Sequence, residues 1–170
     1  MSRRRQFWFA AGIVAALGVT AVLATATWVI HPRLIRVEGH SMSPTLQDDD
    51  RALFVGLRKA PGRGSVVALR YPKNPAKSFV MRIIGLPGER VSIDDGVVSI
   101  DGRPLAEPYL LEANRSHERI APVQLGRDEF YVMGDNRRNA SDSREWGLVP
   151  RRHIWATLHT VLVRAAPARP

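Results

Sequence analysis

Two polar segments combine residue types that are capable of nucleophilic chemistry. Residues 37–46 read VEGHSMSPTL and place Ser41 shortly after Gly39, where the backbone can bend and a main-chain N–H can face a carbonyl group. Residues 134–150 read GDNRRNASDSREWGLVP and concentrate acidic, basic and hydroxyl side chains. From spacing alone, a Ser/Pro turn without chemical function is the better reading of residues 37–46. The two readings are a serine nucleophile and a plain turn.

Length and composition restrict the kinds of protein to which such a site can belong. The 170 residues suffice for one domain of ordinary size plus an appendage, and 45% hydrophobic residues exclude global disorder. The absence of cysteine excludes disulfides, thiolate zinc sites and a cysteine nucleophile. The five histidines show no metal-binding spacing, so we expect neither a metal nor another cofactor.

The net charge of +9 comes from 25 Lys and Arg residues against 16 Asp and Glu. These cations occur in twos and threes along the chain, without the stacking aromatics or recognition helix of a nucleic-acid-binding protein. We therefore expect no nucleic-acid partner, and the lipid bilayer is the better candidate because anionic headgroups attract basic surfaces.

The N-terminus predicts a membrane anchor. Residues 7–30 carry no charge, and as a helix they would span roughly 36 Å, against about 30 Å of hydrocarbon. Arginines in the preceding residues 1–6 predict a cytoplasmic N-terminus and an extracytoplasmic remainder at the plasma membrane. The alternative is a signal peptide cleaved after Ala26, because residues 24–26 read Ala-Thr-Ala.

The remainder predicts a mostly β domain over residues 31–164 and a disordered tail over 165–170. Short β-rich runs separated by Gly, Pro and Asp lie at 34–37, 51–57, 65–71, 79–84, 90–93, 97–100, 129–133 and 154–163. Asp95-Gly96 predicts a hairpin turn. Residues 105–126 are polar and Pro-punctuated, which predicts an excursion from the sheet.

Three segments closely resemble the signature boxes of bacterial type I signal peptidases. They are residues 37–46, 81–89 (MRIIGLPGE) and 134–150, in the family's order and downstream of the predicted anchor. Residues 101–110 (DGRPLAEPYL) are similar to a further stretch of the family, and the likeness extends to about Val163. It implies a membrane-anchored serine endopeptidase with a signal-peptidase-like β catalytic domain and one N-terminal transmembrane helix. Such an enzyme removes signal peptides from exported pre-proteins after small-x-small motifs.

The resemblance also implies roles for individual residues. Ser41 matches the nucleophile, and its main-chain N–H would be one donor to the oxyanion. Asp142 and Arg144, with Ser143 between them, match a pair that braces the site. Apolar pockets for the substrate would be lined by Val37, Met42, Leu46 and Val80.

Two positions depart from the family pattern. The general-base lysine is replaced by Met81, whose thioether has no basic nitrogen to accept the serine proton. The serine whose hydroxyl orients that lysine is replaced by Ala140. The alternative function is therefore a pseudoenzyme that binds signal peptides or a partner without cleaving.

Other bases are poorly placed for replacement of the lysine. Lys77 lies four residues before Met81, about 13 Å along an extended strand. His40 adjoins Ser41, but neighbouring side chains on extended backbone point apart. We expect His117 and His153 to be surface residues.

Overall fold

Two antiparallel sheets make up residues 32–164, the part of the chain that this computed structural model describes. The larger sheet contains β1 (Arg33–Arg36), β2 (Arg51–Gly56), β3 (Val66–Tyr71), β4 (Asn74–Gly85), β9 (Glu129–Met133), β10 (Val149–Pro150) and β11 (Ile154–Val163). Its strand order is β1-β2-β11-β3-β4-β9-β10. The smaller sheet contains β5 (Arg90–Asp94), β6 (Val97–Ile100), β7 (Arg103–Pro104) and β8 (Ile120–Gln124), in the order β7-β6-β5-β8.

Helical structure in the described residues is limited to single turns. The α-helical turn α1 (Ser143–Trp146) follows the second polar segment, with Asp142 as its N-cap. Three 3-10 turns lie at Glu112–Asn114, Arg137–Asn139 and Arg151–His153. The mostly β fold predicted from the sequence is confirmed.

The hairpin predicted at Asp95-Gly96 is confirmed, since β5 and β6 pair from Asp94 with Val97 onward. Both turn residues have positive φ, 47° at Asp95 and 76° at Gly96, which this tight turn requires and which glycine adopts without strain. A β-carbon on Gly96 would lie 1.8 Å from the carbonyl oxygen of Ser116, so the position admits no larger residue.

The prediction for residues 105–126 is wrong in one respect. This segment leaves the larger sheet, but β8 within it pairs with β5 and completes the smaller sheet. Three of its five residues, Ala121, Pro122 and Gln124, are exposed, so the strand lacks a clear apolar alternation, and a proline is typical of an edge strand.

The core lies on both faces of the central strands of the larger sheet. Val67 and Leu69 of β3 point into one buried cluster, and the alternate residues Val66 and Ala68 point into another. Because β3 is flanked by β11 and β4 and buried on both faces, its sequence is a nearly continuous apolar run.

The predicted cytoplasmic residues 1–6, the anchor at 7–30 and the tail at 165–170 lie outside the described residues. Between Pro32 and Arg164, the structure contains no helix with the length and apolar character needed to cross a membrane.

Candidate active site

Ser41 lies in the turn that connects β1 to β2. The turn is closed by main-chain hydrogen bonds from Ser43 N to His40 O (3.2 Å) and from Leu46 N to Met42 O (3.0 Å), and it contains a cis Ser43–Pro44 bond. The backbone at His40 and Ser41 is therefore a bend and not the extended chain that we assumed from the sequence, although the His40 side chain is exposed. Within residues 32–164, neither the Oγ nor the main-chain N–H of Ser41 makes a hydrogen bond.

Gly134 is the contact point between Ser41 and the second polar segment. A β-carbon at Gly134 would lie 2.6 Å from the carbonyl oxygen of Ser41 and 2.5 Å from the β-carbon of Ala140. The same carbonyl of Ser41 accepts a hydrogen bond from Asn136 N at 2.9 Å. Ser41 and Ala140, 99 residues apart in the chain, therefore meet at the glycine that directly follows β9.

Met81 lies on β4, across from Gly134. Its neighbour Arg82 pairs with Met133, so that Met81 and Gly134 are the next residues along the two strands. The Met81 side chain is 1% exposed and belongs to the apolar cluster that contains Val67 and Trp146. Met81 thus places a buried thioether on β4, and Ala140 places a methyl group against Gly134.

Asp142 and Arg144 form a buried ion pair behind Ala140. Arg144 Nε donates to Asp142 Oδ1 at 2.8 Å, and Nη2 donates to Oδ2 at 2.7 Å. Arg144 also donates to the carbonyls of Arg137 (2.9 Å) and Ala140 (3.2 Å). Burial lowers the pKa of Arg144, but hydrogen bonds and charge from Asp142 and Glu118 outweigh that effect and raise it. The guanidinium stays charged and fixes the loop from Arg137 to Ala140.

Two further hydrogen bonds connect Asp142 and Ser143 to β9 and to the glycine that follows it. Asp142 Oδ2 accepts from Gly134 N at 3.0 Å, and Ser143 Oγ accepts from Val132 N at 3.0 Å. Both acceptors are buried. Since buried donors left without acceptors are costly, these side chains hold the end of β9 against α1.

A second buried ion pair joins β4 to the same loop. Arg82 donates to Asp135 from Nε (2.8 Å) and Nη2 (2.5 Å), and Nη2 also reaches Thr45 Oγ1 at 3.1 Å. Thr45 Oγ1 in turn donates to Asp135. This network attaches the turn that carries Ser41 to both β4 and β9.

Residues 107–118 contact the site in ways that sequence reasoning missed. Glu107 forms an ion pair with Arg137, whose Nε donates to Gly134 O at 3.0 Å. Asn114 Nδ2 donates to Ser43 O at 2.8 Å, in the turn that carries Ser41. The guanidinium of Arg82 lies 3.9 Å from the ring centroid of Tyr109, a cation–π contact. Because these partners are 27 to 71 residues apart, local sequence gives no signal of the pairing.

An apolar cleft of about 390 Å³ opens beside Ser41. Its lining includes three of the four residues predicted for the substrate pockets, namely Val37, Met42 and Val80. Leu46 is not in this lining. It is fully buried in the cluster that also contains Val37 and Met42, where it supports the wall of the cleft.

The other basic residues weighed from the sequence lie elsewhere. Lys77 is exposed in the first half of β4 and is not among the residues that line the cleft. The exposed His117 ring contacts Asp95 at 3.0 Å in the hairpin of the smaller sheet, and His153 is half-buried in a 3-10 turn. None of them bonds to Ser41 Oγ.

Comparison with known proteins agrees with this fold. The family described as signal peptidase, peptidase S26, matches residues 8–163. The signal peptidase I of Leptolyngbya laminosa is 36% identical over 153 residues, covering 83% of this chain and 73% of that protein. The enzyme of Bacillus licheniformis is 33% identical over 162 residues, covering 88% and 84%.

A solved structure shows the same likeness. The crystal structure of a signal peptidase I from Enterococcus faecalis aligns with a TM-score of 0.52 and 26% identity, covering 59% of this chain and 98% of that one. The chain therefore belongs to the signal peptidase family, peptidase S26, and resembles its type I members. The removal of signal peptides by serine endoproteolysis is the activity of this family.

Proposed function

We propose that this protein binds the signal peptides of exported pre-proteins in the cleft beside Ser41 and hydrolyses them slowly or not at all. The observation that carries the proposal is the pairing of a formed cleft with a buried Met81 where a basic nitrogen is required. Recognition and hydrolysis depend on different residues, so one can persist without the other.

The edge of β4 supports binding of an extended peptide. Residues 78–80 pair on one side with β3, whereas the pairing of β4 with β9 covers only residues 82–85. Within residues 32–164, the other edge of 78–80 has no partner strand and faces the cleft. An extended peptide can therefore add its main chain to this edge.

The lining of the cleft favours uncharged side chains. Its apolar residues are Ile35, Val37, Met42, Ala68, Phe79, Val80 and Trp155. Such a wall accepts alanine and disfavours a charged side chain, because a buried charge is strongly unfavourable. This selectivity fits the small-x-small motif.

The chemistry for hydrolysis is present only in part. The main-chain N–H of Ser41 has no acceptor among the described residues and can serve an oxyanion. A serine hydroxyl without a base remains protonated at neutral pH, and Met81 and Ala140 offer no proton acceptor. We infer that the surface that binds the signal peptide is intact, whereas Ser41 lacks the base that it needs to act as a nucleophile.

The anchor completes the proposal. Residues 7–30 would hold the β domain outside the plasma membrane, where signal peptides emerge during export. Membrane placement would bring the substrate to the cleft at high local concentration.

Binding can be tested with the full chain in dodecyl maltoside and a fluorescein-labelled signal peptide that ends in an Ala-x-Ala motif. We expect saturable anisotropy, and at least tenfold weaker binding when both alanines are replaced by lysine. Val80→Trp, which fills the cleft, should weaken binding similarly, whereas Val97→Trp on the exposed face of β6 should not. Equal binding of the two peptides would contradict the proposal.

A further inference from the structure

A second cleft, under the loop between β2 and β3, has a different chemical character. It encloses about 370 Å³ and is lined by the seven consecutive residues 56–62 together with Ser65, Val66, Thr157 and Leu158. Arg58 and Lys59 stand exposed at its rim, and no acidic residue is in the lining. Other clefts have balanced charge: the one beside Ser41 has Arg36 and Glu38, and one in the smaller sheet pairs Arg63 and Arg103 with Glu89 and Asp101.

The loop also offers free main-chain donors. Within residues 32–164, the amides of residues 58–60 have no hydrogen-bond acceptor. Unpaired main-chain N–H groups beside two cations make a site suited to the oxygens of a phosphate.

The floor of the cleft is apolar. It includes Leu57 and Leu158, which are half-buried, and Pro61 and Val66, which are buried. A basic rim above an apolar floor fits an amphipathic ligand better than free phosphate.

The register of β1 places this cleft at the end of the sheet where the described chain begins. Arg33 pairs with Phe54, so Pro32 and Gly56, the last residue of β2, lie toward the same end. In the sequence, Pro32 follows the segment predicted as a membrane anchor by two residues. Leu34 of β1 is 58% exposed at this edge of the sheet.

We propose that the cleft formed by residues 56–62 binds the phosphate headgroup of an anionic membrane phospholipid. Arg58, Lys59 and the free amides contact the phosphate, and the apolar floor contacts the glycerol and upper acyl carbons. This inference rests on the proposed anchor for its location. It does not involve the peptide cleft, so either proposal can fail without the other.

The test uses the full chain in dodecyl maltoside, with backbone amide NMR shifts of residues 57–60 and 62 as the local readout. Dihexanoyl phosphatidylglycerol is titrated below its micelle concentration, with dihexanoyl phosphatidylcholine and inorganic phosphate as separate arms. We expect saturable shifts with phosphatidylglycerol, and binding about tenfold weaker or more in the other two arms.

Variants localise the effect. Arg58→Gln with Lys59→Gln should weaken phosphatidylglycerol binding roughly 30-fold. Each cation near an anionic lipid contributes about 1 kcal/mol of binding free energy, and the loss of two such contributions corresponds to this factor. Arg127→Gln with Arg152→Gln removes the same charge from exposed positions outside the cleft and should leave binding within about twofold of the unmodified chain. Signal-peptide anisotropy should be the same in all three proteins.

Several results would overturn the proposal. Equal weakening in both double variants would indicate non-specific attraction to net charge. Phosphatidylcholine that binds as tightly as phosphatidylglycerol would exclude an anion site, and inorganic phosphate that binds equally would exclude a lipid ligand. Shifts absent from residues 57–62 would place the lipid elsewhere.

Discussion

Gly134 lies so close to the carbonyl of Ser41 that a β-carbon there would be 2.6 Å from the carbonyl oxygen. The contact joins the residue after β9 to the turn that carries Ser41, and it leaves no room for a side chain at Gly134. Asn136, two residues further on, donates to the same carbonyl. The position of Ser41 therefore depends on a glycine that is far away in sequence.

Gly134→Ala should destabilise the protein by about 1–3 kcal/mol, because the added methyl overlaps both the Ser41 carbonyl and the Ala140 β-carbon. Urea unfolding of the full chain in detergent measures the change. Gly62→Ala is the matched control, since a β-carbon there meets nothing within 4 Å, and it should alter stability by less than about 0.5 kcal/mol. Equal effects of the two changes would contradict the close contact.

Restoring the family's amine and hydroxyl should restore cleavage. General-base assistance contributes about 10²–10⁴-fold, so Met81→Lys should raise the rate of signal-peptide cleavage, and Met81→Lys with Ala140→Ser should raise it further. The gain of the double variant should exceed the product of the single gains, because the hydroxyl acts only by orienting the amine. Cleavage of a pre-protein in detergent by the unmodified chain, Met81→Lys, Ala140→Ser and the double variant measures this coupling.

Ser41→Ala in the double variant is the blank for that assay and should abolish the restored activity. Robust Ser41-dependent cleavage by the unmodified chain would contradict the proposal that Ser41 lacks a general base. It would indicate that another residue accepts the serine proton. Absence of any gain in the double variant would show that the site requires more than these two positions.

Met81→Lys should also make stability depend on pH. The new amine replaces a side chain that is 1% exposed, and burial lowers the pKa of a lysine below its usual value of about 10.4. Between the two pKa values the unfolded chain binds a proton that the folded chain does not, so the free energy of unfolding rises with pH over that range. Urea midpoints at pH 7 and pH 9, relative to the unmodified chain, test the sign. Lys77→Met, at an exposed site, should show no comparable trend.

Two tyrosines should respond oppositely to loss of the hydroxyl. Among the described residues, Tyr131 Oη is buried without a hydrogen-bond partner, whereas Tyr109 Oη donates to Glu107 at 2.7 Å. Tyr131→Phe should leave stability unchanged or raise it by about 1 kcal/mol, because it removes an unsatisfied polar group. Tyr109→Phe should lower stability by roughly 1–3 kcal/mol, because the Glu107 carboxylate loses a donor. Thermal unfolding of both variants and of the unmodified chain measures the two changes in stability.

The proposed topology predicts the pattern of proteolysis in cells. Protease added outside spheroplasts should digest residues 31–170 and spare a tag at the N-terminus, because the arginines before residue 7 favour a cytoplasmic N-terminus. Immunoblots with tags at each end measure this. Protection of the C-terminal tag until detergent is added would reverse the orientation and remove the basis for the proposed function.

The sequence by itself predicted eight of the eleven strands between residues 32 and 164, and it predicted Ser41 as the nucleophile and Met81 in place of the family's base. Local alternation and turn residues, such as Asp95-Gly96, act over a few residues and are readable directly. The absence of a lysine at Met81 is likewise a matter of residue identity.

Only the tertiary structure decided what holds the site together. Glu107 with Arg137 and Asn114 with the Ser43 carbonyl join residues 30 and 71 positions apart, and the edge strand β8 forms only because β5 accepts it. Such pairings depend on which strands become neighbours, and no local pattern of side chains encodes that. Met81 illustrates both kinds of information. The sequence alone shows that its side chain has no basic nitrogen, whereas its burial across from Gly134 follows from the register of β4 against β9.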